Sequence, residues 1–158
     1  MNDETENVYV VLHDVHAVSK VLDTAQVVYG LGFKNFVVSK AEGSAAQTGV
    51  PEANRLALKM KGRFIVLPTL SDVVEVLGVD RPILITSPVL KKEKLDISNL
   101  GKRVTSEERV VIVFSGSSSS FSRKEMDMGE CFSLDARVDI GPAGSAAVVL
   151  HGLNTTQL

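Results

Sequence analysis

Cysteine is almost absent from this chain: the single Cys131 cannot close an internal disulfide, which removes the disulfide-stapled secreted scaffolds. No apolar run follows a basic N-terminal stretch, so neither a secretory leader nor a membrane span is expected, and the protein reads as cytoplasmic. An excess of positive charge is missing too. The 17 Lys and Arg stand against 19 Asp and Glu for a net charge of -2, with acid massed at Asp3, Glu4 and Glu6. The surface as a whole therefore offers no electrostatic footprint for nucleic acid. Any footprint must be local, at Lys91, Lys92 and Lys94 with Lys102 and Arg103, or at Lys59, Lys61 and Arg63; ordinary solvated faces explain the same residues. Internal repeats of solenoid length are absent as well. What remains is a chain of 158 residues, enough for one domain over 1–158 that buries roughly two-thirds of its unfolded surface.

Apolar runs without alternation punctuate the chain: VYVVL at 8–12, FVV at 36–38, FIVL at 64–67, ILIT at 83–86 and VVIVF at 110–114. Such runs predict strands covered on both faces. Between them the period changes. Val15, Val18, Leu22, Ala25 and Tyr29 fall at helical spacing, predicting a helix over 15–30 with Asp14 as N-cap and Gly30 and Gly32 at its end. The loop EGSAAQTG leads to Pro51 at a helix N1 position, with Ala53, Leu56, Ala57 and Met60 on one face; Ser71–Leu77 reads as a short helix. The irregular, basic stretch 87–108 carries a short helix near 97–100. Further on, Ser122 and Glu125 have capping-box spacing for a helix near 122–128, followed by a strand within 132–139 and a small-residue helix over about 144–153. Strand and helix alternate six times, which predicts an α/β fold with a mostly parallel six-stranded sheet and helices on both faces.

Three loops rich in glycine, proline and hydroxyls follow the last strands: TSPVLKK from Thr86, SGSSSSF from Ser115 and DIGPAGSAA from Asp139. In a parallel sheet they open at one edge and make a pocket walled by peptide groups and small hydroxyls, sized for a nucleoside. Tight turns without a ligand are the alternative. The serines at 117–120 do not form a nucleophile elbow, which needs glycine on both sides. GSSSSFSR also lacks the Gly-Lys-Ser/Thr ending of a phosphate loop. His13, Asp14 and His16 would begin a metal site and a nuclease reading; the competing reading makes Asp14 a helix cap and leaves the histidines on a loop surface.

The strand-loop pair VVIVFSGSSSSFS, the terminal VDIGPAGSAAVVLHGL and the order of elements resemble the SpoU branch of the SPOUT methyltransferases, and within it an archaeal group of uncharacterised SpoU-like proteins, some labelled as nuclease-related. The resemblance covers nearly the whole chain. It implies a C-terminal trefoil knot, a homodimer, S-adenosylmethionine held by the three knot loops, and methylation of tRNA or rRNA, often at a ribose 2'-hydroxyl. The cofactor-binding residues so implied are Thr86, Ser87, Phe114, Ser115, Gly116, Ile140, Gly141, Pro142 and Ser145.

The pattern of the family breaks where its chemistry resides. Its arginine on the first helix is replaced by Asp23 or Gln26, depending on alignment; no acidic residue lies between Glu108 and Glu125; and no Asn lies between Asn99 and Asn154. A ribose hydroxyl is a weak acid, and its deprotonation needs a placed base or a cation at the alkoxide. Arg109, Arg123, Lys124 and Arg137 are the cations near the loops in sequence, and no residue is assigned the catalytic role. Three functions stay open: an S-adenosylmethionine-dependent RNA methyltransferase, a non-catalytic RNA-binding or interaction dimer on the same scaffold, and a metal-dependent nuclease using His13, Asp14 and His16.

Overall fold

The computed structural model describes residues 5–90 and 92–156; Asp3, Glu4 and Lys91, noted above for their charge, lie outside the described residues. Six strands, β1 (Val8–Val15), β2 (Asn35–Ala41), β3 (Arg63–Leu67), β4 (Ile83–Thr86), β5 (Val110–Ser115) and β6 (Glu130–Ser133), form one sheet in the order β3-β2-β1-β5-β4-β6. Every pairing is parallel. The helices are α1 (Val18–Gly30), α2 (Val50–Met60), α3 (Leu70–Leu77), α4 (Ile97–Thr105), α5 (Arg123–Met126) and α6 (Gly141–Thr156).

The non-alternating strands are explained by two cores. Successive side chains of a strand point to opposite faces. Val10, Leu12, Ile112 and Phe114 accordingly join Val21, Ala25, Ala53, Leu100, Val149 and Leu150 from α1, α2, α4 and α6. The intervening Val11, Val111 and Val113 meet Leu70, Val73 and Leu77 of α3 and Phe121 on the other face. The middle of β1, Val10–Leu12, and the run Val110–Phe114 of β5 are thus dry on both faces, where a polar side chain would be costly and none occurs.

The last strand is embraced by a single stretch of chain. Ser133, fully buried, stands opposite Thr86 of β4. On its other side the chain beyond β4 returns: the Ser133 N–H donates to the Glu93 carbonyl at 2.9 Å, and the Leu95 N–H donates to the Ser133 carbonyl at 3.0 Å. Its hydroxyl donates to the Lys92 carbonyl at 3.0 Å. The chain leaves β6 between these two limbs and enters α6, which packs on α1 and α4. The segment beyond β4 thus runs along β6 on the side away from β4 before α4 begins.

Several boundaries differ from those expected. Asp14 does not cap α1: it lies within β1, one residue before its end, with φ 61°, and α1 starts at Val18 behind Ala17, which makes no side-chain cap. The Glu42–Gly49 loop is in part a wide helical turn over Ala45–Gly49 running straight into α2. The helix near 97–100 continues to Thr105, capped by Asp96. The last strand is Glu130–Ser133, earlier than 132–139, because Ser133 is the final residue able to pair with Thr86. The last helix starts at Gly141 rather than near 144. The Ser122/Glu125 capping box forms as expected.

Gly129 leads into β6 at close quarters, where a methyl group would collide with the Pro82 carbonyl oxygen and the Leu84 side chain. Gly129→Ala is expected to lower stability by about 1–3 kcal/mol in urea unfolding; an unchanged midpoint would show that the turn ahead of β6 gives way freely.

Candidate ligand-binding site

The parallel sheet brings the ends of β4, β5 and β6 to one edge, and the loops after them enclose a cleft of about 430 Å³ counted to its open mouth. From β4 come Thr86, Ser87 and Pro88, from β5 Phe114, Ser115, Ser117 and Ser120, and from the turn into α6 Asp139, Ile140, Gly141, Pro142 and Ser145. Eight of the nine residues expected to hold a cofactor are on this wall. Gly116 is not. It is buried against the end of β1, its N–H donating to the His13 carbonyl at 2.7 Å, and a side chain there would press on Val15 Cβ at 2.7 Å. The cleft also departs from the uncharged wall expected of it, since Asp139 contributes a carboxylate, whose Oδ1 accepts the Gly141 N–H at 2.9 Å. Gly141 itself has φ 83°, a conformation that a side chain resists and that turns the chain sharply into α6.

The serine loop is self-bonded. Ser115 Oγ donates to the Ser117 carbonyl at 3.0 Å and accepts its N–H at 3.2 Å. Ser117 Oγ and Ser119 Oγ are 2.7 Å apart, and Ser117 Oγ accepts the Ser119 N–H. These hydroxyls spend their bonding capacity inside the loop, as serine does in turns. Ser120 is different. It sits at φ 60°, lines the cleft, and its buried Oγ has no hydrogen-bond partner among the described residues.

His13 anchors the far end of that loop, contrary to the surface position expected for it. Only 1% exposed, its Nδ1 lies 2.8 Å from Ser39 Oγ, its Nε2 bonds to Glu125 Oε2, and its ring stacks on Phe121 at 6.1 Å. Glu125 completes the clamp by accepting the Ser122 N–H at 2.9 Å. Burial pushes the Glu125 carboxyl up, but the Ser122 N–H and the His13 imidazole outweigh it and hold the group below its ordinary value. On the opposite side Lys20 Nζ donates to the Gly116 carbonyl at 2.9 Å. Neither the Glu125 partnership, 112 residues away, nor that of Lys20 leaves a trace in local spacing.

A sequence profile of the family described as RecB-family nuclease (DUF2122) matches residues 43–152. A protein of Aeropyrum pernix named as a candidate type II restriction enzyme is 38% identical over 149 residues, covering 90% of each chain. The chain belongs to this family. Its fold is shared with SpoU-type methyltransferases. The SpoU methyltransferase AviRb from Streptomyces viridochromogenes, solved with the cofactor AdoMet, superposes with TM-score 0.67 at 11% identity over 96% of this chain and 61% of that one. A structure described as giving insight into 2-OH methylation of C/U34 on tRNA superposes with TM-score 0.71 at 10% identity, over 94% and 89% of the two chains.

In this DUF2122 member the residues expected for a nuclease do not assemble as a set. His13 faces Ser39 and Glu125, whereas Asp14 and His16 meet Glu42 instead. Of the four cations near the loops in sequence, Arg109 is at the wrong end, bonded to the Leu77 carbonyl and lying over the Tyr9 ring. Arg123 and Lys124 are exposed on α5, Arg137 is exposed in the turn before α6, and Asp23 and Gln26 are exposed on α1. None of them lines the cleft.

A carboxylate lowered in the folded state stabilises above its unfolded titration range, and that stability is lost as pH falls through the folded value. Glu125→Gln is therefore expected to lower Tm at neutral pH, with the gap to wild type closing in acid. A gap that is constant across the acid range would show that the Glu125 charge does not hold the clamp.

Proposed function

We propose that the protein binds S-adenosylmethionine in the cleft of Thr86, Ser87, Phe114, Ser115, Ile140, Gly141, Pro142 and Ser145 and acts as an RNA methyltransferase-like protein. The observation that carries this reading is the Ser120 hydroxyl, buried in the cleft wall without a partner among the described residues. An orphaned buried hydroxyl costs about 1–3 kcal/mol, a cost that a polar ligand would relieve. The remaining wall suits a nucleoside: apolar flanks from Ile85, Leu134, Val138 and Ile140, peptide groups and small hydroxyls between them, and the Asp139 carboxylate for a ligand bearing positive charge. Gly116 supports the wall from behind.

Bound there, the cofactor would supply a methyl group activated by its sulfonium. The chain's own residues would orient it through the strand-end turns, and the absence of any cation among the described cleft-lining side chains leaves the acceptor's deprotonation to residues brought from elsewhere. A second protomer is one source. We place a homodimer on α6, whose Ile140 approach and Val148 are 45% and 51% exposed, with tRNA or rRNA as the acceptor, consistent with the fold relatives. The chain is read as one domain working in the cytoplasm; no helix of the described residues is long and apolar enough to cross a membrane.

Two other readings have specific support. The lack of a cation among the described residues of the cleft favours a non-catalytic RNA-binding dimer that keeps the pocket. The family description favours phosphodiester hydrolysis, and the meeting of Asp14, His16 and Glu42 is the feature that supports it.

Titration calorimetry is expected to show saturable S-adenosylmethionine binding by the wild type. Ser120→Ala should weaken it by about tenfold, roughly one good hydrogen bond, while leaving Tm unchanged or raised. Equal affinity in the two proteins would remove Ser120 from the site, and no binding at all would remove the cofactor reading. Methyl transfer to bulk RNA separates enzyme from binder.

A further inference from the structure

We propose that Asp14, His16 and Glu42 form a site for one divalent transition-metal ion, Mn2+ or Zn2+, bound through one imidazole nitrogen and two carboxylate oxygens. The site is separate from the S-adenosylmethionine cleft and does not rest on it. One ligand atom from each of the three residues lies within 4.8 Å of the others. Ligands on a tetrahedral sphere of about 2.1 Å radius stand about 3.4 Å apart, and Asp14 Oδ1 and His16 Nε2 are 3.3 Å apart.

The backbone holds the three together from two strand ends. The Glu42 N–H donates to the Val15 carbonyl at 3.0 Å and the Ala45 N–H to the His16 carbonyl at 3.1 Å; Ser44 Oγ donates to that same carbonyl at 3.0 Å. Register pairs flank the turn, His13 with Ser39 and Val15 with Ala41. Between them Asp14 and Lys40 both take left-handed backbone, at φ 61° and 50°, so the two strands kink in step. The site lies at the carboxyl ends of β1 and β2, the edge of the sheet at which open parallel sheets bind ligands.

Charge and coordination chemistry select the ion. Two carboxylates face one ammonium, Lys40 Nζ at 4.0 Å from Asp14, and among the described residues the Glu42 carboxylate has no ion pair. An imidazole in the set favours Mn2+ or Zn2+ over Mg2+ and Ca2+, which take oxygen ligands. Asp14 is only partly buried and the other two are exposed, so further coordination positions are left to water. Glu42 and Lys40 also line an open groove with Val66, Leu67 and Pro68, giving a bound ion room for a second ligand.

Chelator-stripped full-length protein, titrated with MnCl2 and ZnCl2 by calorimetry and by the spin-resonance signal of free Mn2+, is expected to show one saturable submillimolar site. His16→Ala and Glu42→Gln should each weaken it by at least about tenfold, while Glu52→Gln, at a partly exposed acid on α2 paired with Arg55, leaves it intact. Unchanged circular dichroism in the variants would show that the loss is local. S-adenosylmethionine affinity measured on the same variants should not move, so failure of the cleft reading and failure of the metal site are read separately. No saturable binding of either ion, or binding that survives both His16→Ala and Glu42→Gln, overturns the proposal.

Discussion

The pairing of Ser133 on both sides is the constraint on which the carboxyl edge depends. With Thr86 across one ladder and Glu93 and Leu95 across the other, this one buried residue ties the chain leaving β4 to the chain leaving β6. Each backbone bond is worth only about 1 kcal/mol net. In a dry position, however, loss of the set would leave several polar groups unpaired at once. The cleft exists because that tie keeps the turn at 86–88 and the turn at 134–141 from separating, and because α6 is then held on α1 and α4 beneath them.

Two kinds of chemistry are built on the same edge. Beyond β4, β5 and β6 the walls are peptide, hydroxyl and apolar carbon with the Asp139 carboxylate among them; beyond β1 and β2 they are imidazole, carboxylate and ammonium. His13 divides them. Its ring turns toward Phe121 and Glu125 and fastens the serine loop, while the left-handed turn at Asp14 carries the chain away to His16 and Glu42. A family described by nuclease chemistry and a fold shared with methyltransferases thus meet in one sheet. Fold alone does not decide between reactions; the side chains at the site do.

Much of the architecture was legible because it is local. Non-alternating runs such as VVIVF mark strands covered twice, and the Ser122/Glu125 spacing marks a cap, whatever the rest of the chain does. The turn residues at Thr86, Ser115 and Gly141 were legible for the same reason, since parallel strands must end at a shared edge. What escaped was set by distant partners. Asp14 has the chemistry of a cap, but the β1 and β2 ladders extend past it and the helix begins later. His13 looks like a loop histidine until Ser39 and Glu125 close on both nitrogens. Gly116 has the composition of a ligand loop, yet packing against Val15 takes it out of the wall. Glu42 belongs with Asp14 and His16 only through hydrogen bonds between two loops far apart in sequence.

The proposed role of the cleft requires a nucleoside-sized ligand resting against the ends of β4, β5 and β6. Amide hydrogen exchange with and without S-adenosylmethionine maps that contact directly. Slowed exchange at 86–88, 115–120 and 139–145, with the loops at 14–16 and 42–45 unaffected, is the predicted pattern; protection confined to the β1 and β2 ends, or no protection anywhere, would contradict it.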